Sequence, residues 1–147
     1  MTDLLKTILM IKKTNLFHGV STEELRVVAN EFEEELFFSG DIIFLRGDLG
    51  EKMYVIDEGS VGVSLQQQTR DNEFVAVLGA GECFGEMGLL DGSPRSATVK
   101  VLSSARILSL EKGRFRGLII NYPELAFGIM RSLSARLRSS NDKISMQ

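Results

Sequence analysis

The chain has 147 residues, 44% hydrophobic and 25% charged, with a formal net charge of −3. That length suits one domain with a sizeable core, and the composition is that of a globule rather than a disordered or collagen-like chain. The acidic balance, with its one dense basic cluster (Arg131, Arg136, Arg138) on an apolar-striped segment, argues against nucleic-acid binding by this chain itself, and the single Cys83 excludes an intrachain disulfide.

Leu4, Leu5, Ile8 and Ile11 recur at helical spacing. Asp3 precedes this stretch, Lys6 interrupts it and Lys12 with Lys13 follow, so it reads as neither a signal peptide nor a membrane span. Ser21 and Glu24 form a capping box for a second helix carrying Leu25, Val28, Ala29 and Phe32. Residues 1–32 thus read as two short helices.

From residue 33 to 111 the pattern changes. Turn signals recur at Ser39-Gly40-Asp41, Arg46-Gly47-Asp48, Glu58-Gly59-Ser60, Arg70-Asp71-Asn72, Gly79-Ala80-Gly81 and Asp91-Gly92-Ser93. Between them lie strand-like runs, MYVI, VGVSL, FVAVL, SATVKV and RILSL. The fold class is mostly β with flanking helices: an antiparallel β-roll, or double-stranded β-helix jelly roll. Gln66 to Gln68 read as a hairpin tip and Arg46-Gly47-Asp48 as a turn only. The lone thiol of Cys83 fits a buried, small hydrophobe in a reducing, cytoplasmic compartment.

Residues 112–147 return to helical patterning. Lys112 to Ile120 forms a short helix and Pro123 opens a longer one, at the position a helix tolerates best. Ala126, Met130, Leu133, Leu137, Ser140 and Ile144 follow at alternating steps of four and three, the stride of a coiled-coil seam. Leu125 and Ile129 occupy the adjacent face. The seam predicts either a homodimer through this helix or intramolecular packing.

The richest stretch is FGEMGLLDGSPRSATV at 84–99. Gly85 lets backbone approach a ligand closely, and the amides of Glu86, Met87 and Gly88 open a short helical turn that attracts anions. Arg95 offers a planar, permanently charged fork for two oxygens of a phosphate, with the Ser96 hydroxyl beside it. A carboxylate facing a phosphate would oppose binding, so Glu86 must meet a neutral hydroxyl or orient Arg95. A phosphorylated sugar satisfies both ends, with the ribose 2′-hydroxyl on Glu86.

FGE, then LL, then PRSATV resembles the phosphate-binding cassette of the cyclic nucleotide-binding domains, and the likeness extends from Phe17 and Gly19 through the last helix. The resemblance implies that Glu86 takes the ribose hydroxyl, that Arg95 and Ser96 take the cyclic phosphate, and that Gly85, Met87 and Gly88 offer amides. Aligned on family members, Val63, Val75, Ala76 and Leu78 wall the base, while Ser140 and Asn141 reach its edge, one from each subunit of a dimer. The implied ligand is cyclic AMP, with cyclic GMP open because a serine after the arginine serves phosphate or guanine. No other cofactor is expected.

An enzyme on a β-roll needs clustered histidines and carboxylates for a metal, or a nucleophile with a histidine. His18 is the sole histidine and sits in a turn before Gly19. The expectation is therefore a non-catalytic regulatory sensor that relays ligand occupancy through its last helix to an unknown effector protein, without membrane or nucleic-acid binding of its own. Two alternatives stay open: a degenerate interaction and dimerisation module that has lost the ligand, and a sensor excised from a larger transcription regulator, channel, kinase or transporter. Met1 favours a free-standing sensor.

Overall fold

The computed structural model describes residues 3–66 and 74–145, with side chains through residue 142. The Arg70-Asp71-Asn72 turn, Gln67, Gln68 and the side chain of Ile144 lie outside the described residues. The chain divides into a helical unit, Met1–Glu31 with Arg114–Gln147, and a β unit, Phe32–Gly113.

In the helical unit, Asp3 caps α1 (Leu4–Lys12), its carboxylate accepting from the Leu5 amide at 3.1 Å, and the helix buries Ile8, Met10 and Ile11. Ser21 caps α2 (Thr22–Ala29). Its hydroxyl accepts from the Glu24 amide at 3.2 Å and donates to Glu24 Oε1 at 3.1 Å, so the expected box closes side chain to side chain. Phe32 does not lie on this helix: Asn30 caps it two residues earlier and the chain turns toward the first strand. The chain then returns in α4 (Lys112–Asn121) and α5 (Glu124–Ser145), with Pro123 just ahead of α5.

Helix α5 is anchored at two glycines. A Cβ on Gly128 would come within 2.8 Å of Val20, and the Gly19 amide donates to Ser132 Oγ at 2.7 Å while that hydroxyl donates to the Gly128 carbonyl at 3.0 Å. Leu125 and Ile129 are buried, whereas Met130 and Leu137 of the predicted seam are exposed and Ala126 and Leu133 are half-buried. His18 is exposed, with Nε2 3.2 Å from the Ser132 carbonyl oxygen.

The β unit contains β1 (Glu33–Phe37), β2 (Ile42–Phe44), β3 (Lys52–Ser64), β4 (Ala76–Leu78), β5 (Cys83–Phe84) and β6 (Thr98–Glu111), with the short helix α3 (Gly88–Asp91) before β6. All pairings are antiparallel, in the order β1-β6-β3-β4, with β2 also on β6 and β5 on β3. This is an antiparallel β-roll with flanking helices and a long C-terminal helix, the class that the turn spacing predicts.

One predicted turn is not a turn. MYVI and VGVSL belong to a single strand, β3, that runs through Glu58-Gly59-Ser60 by shifting register against β6 rather than reversing. Gly59 makes this possible with φ +97°, and a Cβ there would lie 2.6 Å from Ala105 Cα. The extra residues bend the strand while its ladder continues on both sides. SATVKV and RILSL merge into β6 in the same way. The core beneath comprises Tyr54, Ile56, Val61, Phe84, Val99, Val101, Ala105 and Ile107, with Phe37, Ile43, Phe44, Val63 and Leu78 packed around it. Cys83 is half-buried on β5 rather than buried.

Candidate ligand-binding site

Arg95 is the centre of the site, and the fold builds its surroundings from backbone. The segment before β6 zips against the β2–β3 connection: the Arg95 amide donates to the Asp48 carbonyl at 2.6 Å, the Gly47 amide to the Arg95 carbonyl at 2.8 Å, and the Gly50 amide to the Ser93 carbonyl at 3.1 Å. Leu49 and Pro94 form an isolated antiparallel bridge between them. Arg46-Gly47-Asp48 is a turn, as read, with the Asp48 carboxylate accepting from the Leu45 amide at 2.9 Å. It is also the strip on which the arginine rests.

The side chain is folded inward, and Arg95 as a residue is 9% exposed. Nη1 donates to the Gly85 carbonyl at 3.3 Å and Nη2 to the Lys52 carbonyl at 2.6 Å, while its central carbon lies 4.1 Å from the Phe44 ring centroid. Two main-chain carbonyls thus orient the fork. Nε is buried and has no hydrogen-bond acceptor. Burial holds the group below the ordinary arginine range, with Tyr54 and Asp48 acting in the opposite direction.

Three glycines make room for this cation. A Cβ on Gly85 would lie 2.6 Å from Nη1, one on Gly88 3.2 Å from Nη1, and one on Gly50 3.4 Å from the central carbon. Gly85 also has φ +76°, which any side chain would strain. Glu86 is half-buried in the turn leading to α3, next to the residue that Arg95 grips. Met87 is exposed and precedes the first residue of α3. The Gly88 amide donates to the Gly85 carbonyl at 3.3 Å where the chain tightens into a turn. Ser96 is exposed beside Arg95.

Residues 34–122 match the family model described as cyclic nucleotide-binding domain. The chain belongs to that family. A cyclic AMP receptor protein of Thermus thermophilus is 34% identical over 131 residues, covering 89% of this chain and 61% of the relative. A cAMP-dependent protein kinase regulatory subunit of Dictyostelium discoideum is 34% identical over 106 residues, 72% of this chain and 32% of the relative. Among solved structures, the N-terminal domain of a transcriptional regulator from Streptomyces coelicolor A3(2) matches with a TM-score of 0.78 and 31% identity over 96% of both chains. The regulatory domain of Toxoplasma gondii PKA with cAMP matches at 0.67 and 26% identity, over 80% of this chain and 46% of that one. The chain thus spans about three fifths of the Thermus relative, 61%, and about a third of the Dictyostelium one, 32%.

In this cyclic nucleotide-binding domain, β6 connects the Arg95 end of the site to an apolar strand surface. Val63 pairs with both Val99, four residues after Arg95, and Ala76, and Val61 pairs with Leu78. Val63 and Leu78 pack on the core, while Ala76, though paired with Val63, is exposed. Val75 falls just outside β4 and is 64% exposed, like Val77 at 61%. Ser140 and Asn141 are exposed on α5 in the helical unit. The site as described belongs to the β unit alone.

Sequence reasoning missed Phe44, Asp48, Gly50 and Lys52. Gly47 and Gly50 did carry a signal, since two glycines three apart in a short connection mark close backbone approach as well as a turn. The carbonyls of Lys52 and Gly85 carry none. Among the described residues no group of three or more histidines, cysteines or carboxylates is placed to hold a metal ion, and no helix is long and apolar enough to cross a membrane.

Proposed function

We propose that this chain is a non-catalytic, cytoplasmic sensor that binds a 3′,5′-cyclic purine mononucleotide, cyclic AMP in preference to cyclic GMP, with Arg95 on the cyclic phosphate and Glu86 on the ribose 2′-hydroxyl. One observation carries the reading: a buried guanidinium whose fork is held by neutral carbonyls and whose Nε lacks an acceptor. Burying a cation costs several kcal/mol, and the nearby Tyr54 and Asp48 offset only part of that for Arg95. A fold that bears that cost at one position, ringed by three glycines, is organised around an anion. The preference for adenine rests on the relatives named for cyclic AMP, with Ser96 leaving guanine open.

Val63, Val75, Ala76 and Leu78 then offer the base an apolar surface. Occupancy is relayed by α5, on which the ligand acts only through its differential affinity for two arrangements of the helix. The exposed Met130 and Leu137 favour a homodimer through this helix as the signalling form. The effector is a separate protein or a further domain.

Isothermal titration with cyclic AMP, cyclic GMP and the two linear 5′-monophosphates tests the reading. Tight binding of cyclic AMP, weaker binding of cyclic GMP and loss of affinity for the linear forms is expected. Equal, millimolar affinity for all four would refute it.

A further inference from the structure

Phe44 closes β2 opposite Val99, and its ring meets two partners at once. One is the Arg95 guanidinium, 4.1 Å from its centroid. The other is Phe84, the residue before Gly85, at 5.9 Å and tilted by 54°. Tyr54 completes the group, 6.0 Å from Phe44 and stacked on Phe84 at 5.0 Å with 16° between planes. One ring from each of β2, β3 and β5 thus forms a block seated on the core, with a cation on its face.

The geometry gives this block a task that the hydrogen bonds do not perform. Two bonds from Nη1 and Nη2 to carbonyls restrain the fork along its edge. Neither stops its plane from tilting, because hydrogen bonds to carbonyls tolerate a broad range of directions. The glycines at 50, 85 and 88 present no side chains to hold it. A ring face does hold it, since the ring quadrupole attracts the cation, and more strongly where water is excluded.

We infer that Phe44 is a positioning residue for the anion site: its face sets the plane of the Arg95 fork, and its contact with Phe84 ties that fork to the Gly85–Glu86 end of the same cassette. The inference rests on the reading of Arg95 as the phosphate ligand. An aliphatic side chain at 44 fills the space but offers no negative face. The anion and hydroxyl contacts then lose their fixed separation.

The test uses the full chain with Phe44→Leu, Phe44→Met and Phe44→Tyr, each checked for a native denaturation midpoint. Methionine keeps volume and flexibility, so it stands in if the leucine variant does not fold. Titration with cyclic AMP should show about tenfold weaker binding for the aliphatic variants and recovery to within about twofold for tyrosine. In parallel, the Arg95 Nε–H resonance of the nucleotide-free chain, assigned by its loss in Arg95→Lys, should shift and broaden in the aliphatic variants and stay in place with tyrosine. Wild-type affinity and an unchanged arginine signal in a folded aliphatic variant would overturn the inference, as would a folded Phe44→Tyr no better than Phe44→Met. If the wild type binds no cyclic nucleotide, the reading of the site fails while the arginine signal still decides whether Phe44 fixes the fork.

Discussion

Replacing Arg95 by alanine separates what the side chain does for the ligand from what it does for the fold. In the free protein two terms oppose each other. The variant loses two charge-assisted bonds to the Lys52 and Gly85 carbonyls, each worth about 1.5–3 kcal/mol, and regains the several kcal/mol that a buried cation costs. The net change in nucleotide-free stability should therefore stay within about 2 kcal/mol of zero. With ligand nothing offsets the loss. Removing the cation should weaken binding by about 2–5 kcal/mol, roughly 30- to several-thousand-fold. At a nucleotide concentration of about one thousand times the wild-type Kd, the wild type gains about 4 kcal/mol, or roughly 8–16 °C in Tm, and the variant only about 0.1–2 kcal/mol, at most roughly 8 °C. Thermal unfolding of both proteins with and without cyclic AMP reads both terms. A variant that keeps the full nucleotide-induced shift would show that Arg95 does not hold the ligand, and one that unfolds without nucleotide while Arg95→Met does not rescue it would show that the fold depends on its charge.

Glu86→Ala should weaken cyclic AMP less than Arg95→Ala does, and a 2′-deoxy cyclic nucleotide should lose affinity on the wild type but hardly on the Glu86 variant; a titration cycle without coupling removes Glu86 from the ribose. Burial, and then the Glu35 carboxylate, raise the Tyr54 phenol above its ordinary value, against the influence of Arg95. A raised folded-state value means that stability is fully present below about pH 10 and drains away as pH climbs from there through the folded value. Alkaline denaturation of Tyr54→Phe should accordingly lose less stability above about pH 10 than the wild type, and parallel curves would contradict the burial argument. Light scattering should report a dimer that Leu133→Asp with Leu137→Asp converts to monomer, whereas a wild type monomeric at high concentration with and without nucleotide rules out the α5 seam.

The legible parts of this chain are those in which side chains carry the information. Ser21 with Glu24 marked the start of α2, Pro123 the start of α5, and the glycine-punctuated runs the β-roll. Glu58-Gly59-Ser60 was misread because a bulge and a turn both demand a glycine at positive φ, and only the partner strand distinguishes them. In the site, Gly85, Glu86 and Arg95 stood out by residue type and spacing. What receives Arg95 did not. Its acceptors are main-chain oxygens of Lys52 and Gly85, whose side chains say nothing about them, and Phe44 reads as one more apolar strand residue until its ring is seen under a cation.

The long β3–β6 ladder has a consequence for how the site comes into existence. Its register joins Lys52 to Glu111 and Ser64 to Thr98, so every rung closes a large loop, and the cassette is part of the chain being closed. Pairings so distant in sequence form slowly, because the entropy of closure must be met before any contact repays it. The Arg95–Lys52 bond itself spans 43 residues and meets the same closure cost. The binding site is thus a late product of folding, and in hydrogen exchange the amides of Gly47, Gly50 and Arg95 should open together with β3 and β6 rather than as an independent loop.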